Sequence, residues 1–291
     1  MCTFYWSQCG KINVYAKRRG TQEWTDKMAD LFCVKLGETM RGTFAEHVKQ
    51  YAYGEALLVL PNRFLLQSEQ QKGTVRAVNM DYLPNEILRA NRRDRFEMLS
   101  RRSQEIIVKK LIDDKKKAGQ LKYLLNIADA DSFAKIVTGF IGELSRAGTT
   151  AEEFAEAVSA WERKNGYGLK DEEIASIYTD YRKVLKKNNW YDIDGLYRLA
   201  TIELQKAGSI IPWQALFFSD FYQFDHLQLD LIAAIKDRCT VSIGIVGDMK
   251  NDELYGATLN TIGDLLGCGF KLHKVSDLTD RNEELQHFCL Q

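Results

Sequence analysis

Gly37-Glu38-Thr39-Met40-Arg41-Gly42-Thr43-Phe44 carries two glycines at the spacing of a phosphate-binding loop. In the pattern G-x-x-x-x-G-K-S/T, backbone amides and a lysine hold the phosphates while the hydroxyl holds magnesium. Here Thr43 stands in the lysine position and Phe44 in the hydroxyl position. Lys35 and Arg41 are nearby cations, but neither occupies the required place. Gly37, Gly42 and Thr43 therefore read either as a phosphate loop that has lost its grip or as a plain turn. A second candidate is Ser219-Asp220-Phe221-Tyr222-Gln223-Phe224, directly after the apolar run LFF. Triphosphate hydrolysis asks for an Asp on magnesium, a Glu that activates water and a Gln that senses the γ-phosphate. Asp220 and Gln223 fit that order, and Phe221 replaces the Glu. A third is Val246-Gly247-Asp248, which leads to Leu254-Tyr255. A strand-end Asp is most often a cap or turn residue. The three loops gain their weight from their order along the chain.

Each loop follows a run that reads as a strand. LFCVKL (31–36), EALLVLP (55–61) and TVRAVNM (74–80) alternate with helical spacing such as TFAEHVKQYAY (43–53), the grammar of a parallel sheet. WQALFFSDF (213–221), CTVSIGIVGD (239–248) and FKLHKV (270–275) return to strands, with HLQLDLIAAIKDR (226–238) a helix between the first two. Between these zones, apolar residues recur at three- and four-residue spacing and strand signals vanish. Breaks at Ala118-Gly119, Gly148-Thr149-Thr150 and Gly166-Tyr167-Gly168 divide this middle into several helices, with Thr149 or Thr150 as an N-cap. The fold expected is α/β, a parallel sheet interrupted by a large all-helical insertion. The sheet domain would be discontinuous, 31–84 with 209–291. The insertion would run over 85–208, and 1–30 forms an unassigned leader.

Composition narrows the function. Lys+Arg and Asp+Glu balance at 40 each over 291 residues, so no global positive field points to nucleic acid. Local positive charge exists. Arg89, Arg92, Arg93, Arg95, Arg101 and Arg102 open the helical zone, followed by Lys109, Lys110, Lys115, Lys116 and Lys117. Such cations on one face suit phosphate contacts. Interleaved Asp94, Glu97, Glu105, Asp113 and Asp114 give them helical partners, which suits a solvated surface instead. The six cysteines show no CxxC pair, and Cys33 and Cys239 sit in apolar runs as small core residues, so no metal site is expected. No run is apolar enough to span a membrane, and the start lacks a signal-peptide pattern, so the expected location is the cytoplasm.

Five segments in order carry a family resemblance. LPNRFLLQSE (60–69) is similar to the "vPeqfTfqmE" segment of AddB/RexB proteins, and TVRAVNMDYLPNEIL resembles the strand and helix that follow it. FAKIVTGFIGELSRAGTTAEEF, KDEEIASIYTDYRKVLKKNNWYDIDGLYRLA and ALFFSDFYQFDHLQLDLIAAI resemble three later stretches of the same family. Val246-Gly247-Asp248 with Leu254-Tyr255 resembles the G-D-x-x-Q-x-I-Y element of superfamily-one helicases, with a longer spacer. The resemblance implies a RecA-like, P-loop-type helicase core with a helical subdomain. It also implies work on DNA double-strand-break ends beside an AddA-type helicase-nuclease subunit. Many members keep the phosphate-loop lysine; this chain does not, so no cofactor is expected, with ATP and magnesium as the alternative. The expected function is a non-catalytic helicase-like part of an AddB-type subunit that handles duplex ends or single strands, or docks a partner. Gly37, Gly42, Thr43, Asp220, Gln223 and Asp248 would be the nucleotide-site remnant, and Arg89, Arg92, Arg93, Arg101 and Arg102 the DNA contacts. The alternatives are a weak nucleotide-binding ATPase and a protein-interaction module without DNA.

Overall fold

Strands buried on both faces read as unbroken apolar runs, and three such runs form the centre of the sheet in the computed structural model, which describes residues 29–93, 95–165, 168–247 and 252–274. The strands are β1 (Ala29–Val34), β2 (Ala56–Leu60), β3 (Ala77–Asn79), the two-residue β4 (Glu97–Met98) and β5 (Trp190–Tyr191), β6 (Ala215–Phe221), β7 (Thr240–Val246) and β8 (Lys271–Lys274). The helices are α1 (Arg41–Val48), α2 (Arg63–Lys72), α3 (Tyr82–Ala90), α4 (Arg101–Lys117), α5 (Asp131–Arg146), α6 (Ala151–Asn165), α7 (Leu169–Asn188), α8 (Ile193–Leu204), α9 (His226–Lys236) and α10 (Asp252–Gly267). Six strands pair in parallel in the order β3-β2-β6-β7-β1-β8.

Side chains alternate across this sheet with the strand period of two. Leu57 and Val59 of β2, Leu216 and Phe218 of β6, and Val241, Ile243 and Ile245 of β7 enter one core, together with α3, α8, α9 and α10. Ala56, Leu58 and Leu60, with Ala215 and Phe217, enter a second core under α1 and α2. The split follows from crossover direction. β1–α1–β2 and β2–α2–β3 step towards the β3 edge, whereas the later connections step the other way, and right-handed crossovers put the two sets on opposite faces. Cys239 is buried in the first core and Cys33 packs against it, as their apolar neighbours suggest.

Helices α4 to α7 share a third core that runs from Leu99 to Leu185. Ser100 caps α4 by accepting from Ser103 N at 3.0 Å. Thr150 caps α6 reciprocally: its Oγ1 accepts from Glu153 N at 3.1 Å, and Glu153 Oε2 accepts from Thr150 N at 3.0 Å. Two features of this region differ from the sequence reading. Strands do occur in the middle: β4 and β5 pair in parallel, fastened by Trp190 Nε1 donating to Glu97 Oε2 at 2.9 Å. Two-residue strands are too short to show a period. In addition, Leu83, Ile87 and Leu88 of α3 and Leu196, Tyr197, Ala200 and Leu204 of α8 belong to the sheet's core, although most of them fall within 85–208. No helix among the described residues is long and apolar enough to cross a membrane.

Candidate functional site

Because the six strands are parallel, their carboxyl ends share one edge, where ligands of open α/β sheets bind. The loops after β1, β2 and β6 and the last residue of β7 enclose a cleft of about 630 Å³ there, lined by Gly37, Thr39, Arg41, Pro61, Asn62 and Asp220 among others.

The first wall is the β1–α1 loop. Gly37 has φ 86°, a left-handed conformation that favours glycine. Glu38 N donates to Lys35 O at 3.0 Å, and Thr39 Oγ1 accepts from Arg41 N at 3.1 Å, which brings the chain into α1. Thr43, in the lysine position, is exposed on α1, as is Gly42. Phe44 is 2% exposed and packs on Phe32 and Phe217, with ring centroids 5.9 and 5.5 Å away. The residue in the magnesium-hydroxyl position is a core residue. Its seat depends on Gly244 of β7, where an added Cβ would lie 2.9 Å from Met40 Cβ and 3.3 Å from a Phe44 ring carbon. Gly244→Val is therefore expected to cost about 1–3 kcal/mol through overpacking and to displace α1. A urea midpoint equal to wild type would contradict that packing.

The second wall is the end of β6. Pairing with β7 shifts register between Phe218 and Phe221, and Asp220 has φ 64°. Such irregularities re-aim a side chain, and non-glycine residues hold a left-handed conformation at a cost. Ser219 Oγ donates to Asp220 Oδ2 at 3.1 Å and lies 3.5 Å from Thr39 Oγ1, so the two walls touch. Arg41 Nε lies 2.9 Å from Asp220 Oδ2 as an ion pair, without an aligned hydrogen bond. Arg41 Nη1 also lies 3.7 Å from Oε1 of Glu69, an α2 carboxylate only 3% exposed that Lys72 contacts at 2.6 Å. A guanidinium thus lies against Asp220, and the lysine and hydroxyl of the phosphate-loop pattern are replaced by Thr43 and Phe44. Phe64 and Tyr222, 79% and 52% exposed, stand in the lining.

The expected remnant residues are distributed as follows. Gly37 and Asp220 line the cleft, and Gly42 and Thr43 lie on α1 behind it. Gln223 lines a separate cavity of about 250 Å³ with Asn79, Asp81 and Gln228, beyond Pro61. Asp248 lies outside the described residues, as does the leader to residue 28. Most of the expected DNA-contact arginines have acidic partners. Arg89 pairs with Glu86 at 2.7 Å, Arg93 with Glu203 at 3.4 Å, and Arg101 and Arg102 share Glu105 at 3.8 Å each. Arg92 is exposed, with φ 55°. No group of three or more potential metal ligands occurs among the described residues. The sequence reading gave no role to Glu69, Phe64 or Tyr222. The signal available for Glu69 was an acid and Lys72 at i,i+3 in an otherwise amphipathic helix.

An all-parallel sheet with a cleft at its carboxyl edge, beside a separate helical core, defines an α/β domain. A family model described as "ADDB, N-terminal" matches residues 44–267, well over half of the sequence. The chain belongs to the AddB N-terminal family. The match starts at Phe44, so the Gly37–Thr43 loop precedes it. No curated protein matches the chain.

Proposed function

We propose that the chain is the RecA-like, helicase-shaped part of an AddB-type subunit, with helices α4 to α7 as its helical insertion. It acts in the processing of DNA double-strand-break ends without hydrolysing ATP itself. Family membership supports the DNA-repair context and an AddA-type helicase-nuclease partner, and work on DNA ends goes with a cytoplasmic location. The observation that carries the non-catalytic role is Phe44 buried in the core beside an exposed Thr43, at the two positions where a triphosphatase grips phosphate and magnesium. What remains is a shaped sheet edge suited to DNA handling or subunit docking. Phe64 and Tyr222 stand exposed at that edge, where unpaired bases stack on aromatic faces. Most of the arginines at the start of the helical zone are paired with acids, which weakens them as phosphate contacts; any DNA held would be contacted through its backbone without strong sequence choice.

Anisotropy titrations with labelled duplex ends and single strands test the DNA role. Phosphate contacts predict that affinity falls at least about tenfold between roughly 50 and 200 mM salt. Absent or salt-insensitive binding would leave partner docking as the function. A weak ATPase using Asp220, Gln223 and Asp248 remains the rival reading, and it requires Asp220 to exchange Arg41 for magnesium.

A further inference from the structure

We propose that Arg41 is a tethered cation that takes the place of a divalent ion between Asp220 and Glu69, and that it joins the β1–α1 loop, α2 and the end of β6. The inference rests on reading the cleft as a triphosphatase-shaped site. Two carboxylates from different elements converge on one guanidinium, Asp220 at 2.9 Å and Glu69 at 3.7 Å. Glu69 is almost wholly buried on a helix whose other residues are mostly solvated, and a buried carboxylate needs a cation. Lys72 supplies one from the solvent side, with its own side chain 57% exposed. Arg41 supplies the other from inside the cleft and is the group that also reaches Asp220.

The fit has the character of a replacement. A dedicated arginine–carboxylate pair forms two parallel hydrogen bonds. Arg41 instead places a buried Nε beside Oδ2 without alignment, so charge rather than fork geometry holds it. Asp220 has a left-handed conformation, and its Oδ2 both accepts from the Ser219 hydroxyl and lies against Arg41 Nε. Arg41 begins α1, and this covalent tether gives its charge a high local concentration that a dissolved ion must overcome. The chain thus carries its own cation, and the cleft is inert to metal for that reason.

Calorimetric titration with manganese chloride, without nucleotide, and thermal unfolding in the same buffer test this. Wild type is expected to show no binding tighter than about 1 mM and no change in Tm. Arg41→Met keeps the length and removes the charge; its Tm should fall, and manganese should bind below about 1 mM and restore part of the loss. Adding Asp220→Asn to Arg41→Met should abolish that uptake. Wild type that binds manganese as tightly as Arg41→Met would overturn the proposal, and so would a folded Arg41→Met, checked by circular dichroism, that ignores manganese. If Arg41→Met does not fold, Asp220→Asn alone decides: a lowered Tm supports the tether, and an unchanged Tm overturns it. ATP binding by wild type would sink the non-catalytic reading and leave the manganese result standing, so the two failures are distinguishable.

Discussion

Glu173→Ala is expected to unfold the helical segment ahead of the sheet and to cost about 4 kcal/mol. Glu173 lies on α7 with 6% of its surface exposed, and its carboxylate closes the connection between α4 and α5. Oε1 accepts from Lys122 N at 2.6 Å and Tyr123 N at 2.9 Å, and Oε2 accepts from Leu124 N at 2.9 Å. Three consecutive amides thus aim at one side chain, flanked by Leu121 and Leu124, which are 3% and 2% exposed in the helical core. Alanine leaves all three donors without that acceptor. Leu124 N is the buried donor, and orphaning it costs about 1–3 kcal/mol; the amides of the exposed Lys122 and Tyr123 can turn to water and lose about 0.5–1.5 kcal/mol each. Against a typical domain stability of about 5–15 kcal/mol, that is a large fraction. Glu173→Gln keeps an acceptor and should lose roughly half as much. Hydrogen exchange should rise across residues 99–185 while β2, β6 and β7 stay protected. A Glu173→Ala urea midpoint within error of wild type would contradict the role given to these three bonds.

The second large effect depends on pH. Asp194, in the first turn of α8, is 7% exposed. Burial pushes its carboxyl up to about 6, the nearby Asp192 and Asp225 add to that rise, and Arg146 and Arg198 oppose it. The neighbourhood is the polar junction between the helical core and the sheet. Tyr181 donates to Asp192 at 3.0 Å, Arg182 contacts the same carboxylate at 3.3 Å, and Arg198 donates to Ser145 O at 3.0 Å. A folded value raised above the unfolded one means that the native state binds the proton more tightly. The stability it contributes is present in full below the unfolded value near 3.8 and is lost as pH rises through about 6. Asp194→Asn keeps the shape and removes the charge. Relative to wild type it should gain about 2–3 kcal/mol at pH 8 and nothing near pH 4. Paired denaturation curves at the two pH values read this directly, and a gain that does not change with pH would contradict it.

How much of this was legible depends on whether a signal is local. The runs that became β2, β6 and β7 announced themselves because strands buried on both faces must be apolar throughout. The Thr150 cap was visible for the same reason: Glu153 sits at the reciprocal position three residues on. Helical spacing over 43–53 overran its helix. α1 ends at Val48, and Tyr51 continues the apolar pattern from a loop, with its ring centroid 6.4 Å from that of Phe217. Spacing cannot separate those cases. Two residues expected together lie apart: Asp220, near the end of β6, lines the cleft, whereas Gln223 lines the neighbouring cavity. The Arg41–Asp220–Glu69 contact joins three distant segments, and nothing local in any of them encodes it.

We propose that this sheet keeps the outline of a nucleotide site while its grip on phosphate is gone. Calorimetric titration of the wild-type chain with ATP and magnesium tests it most directly. No binding tighter than about 100 μM is expected. A dissociation constant below that value, abolished by Asp220→Ala in a variant that still folds, would show that Asp220 leaves Arg41 for the metal and would contradict the account.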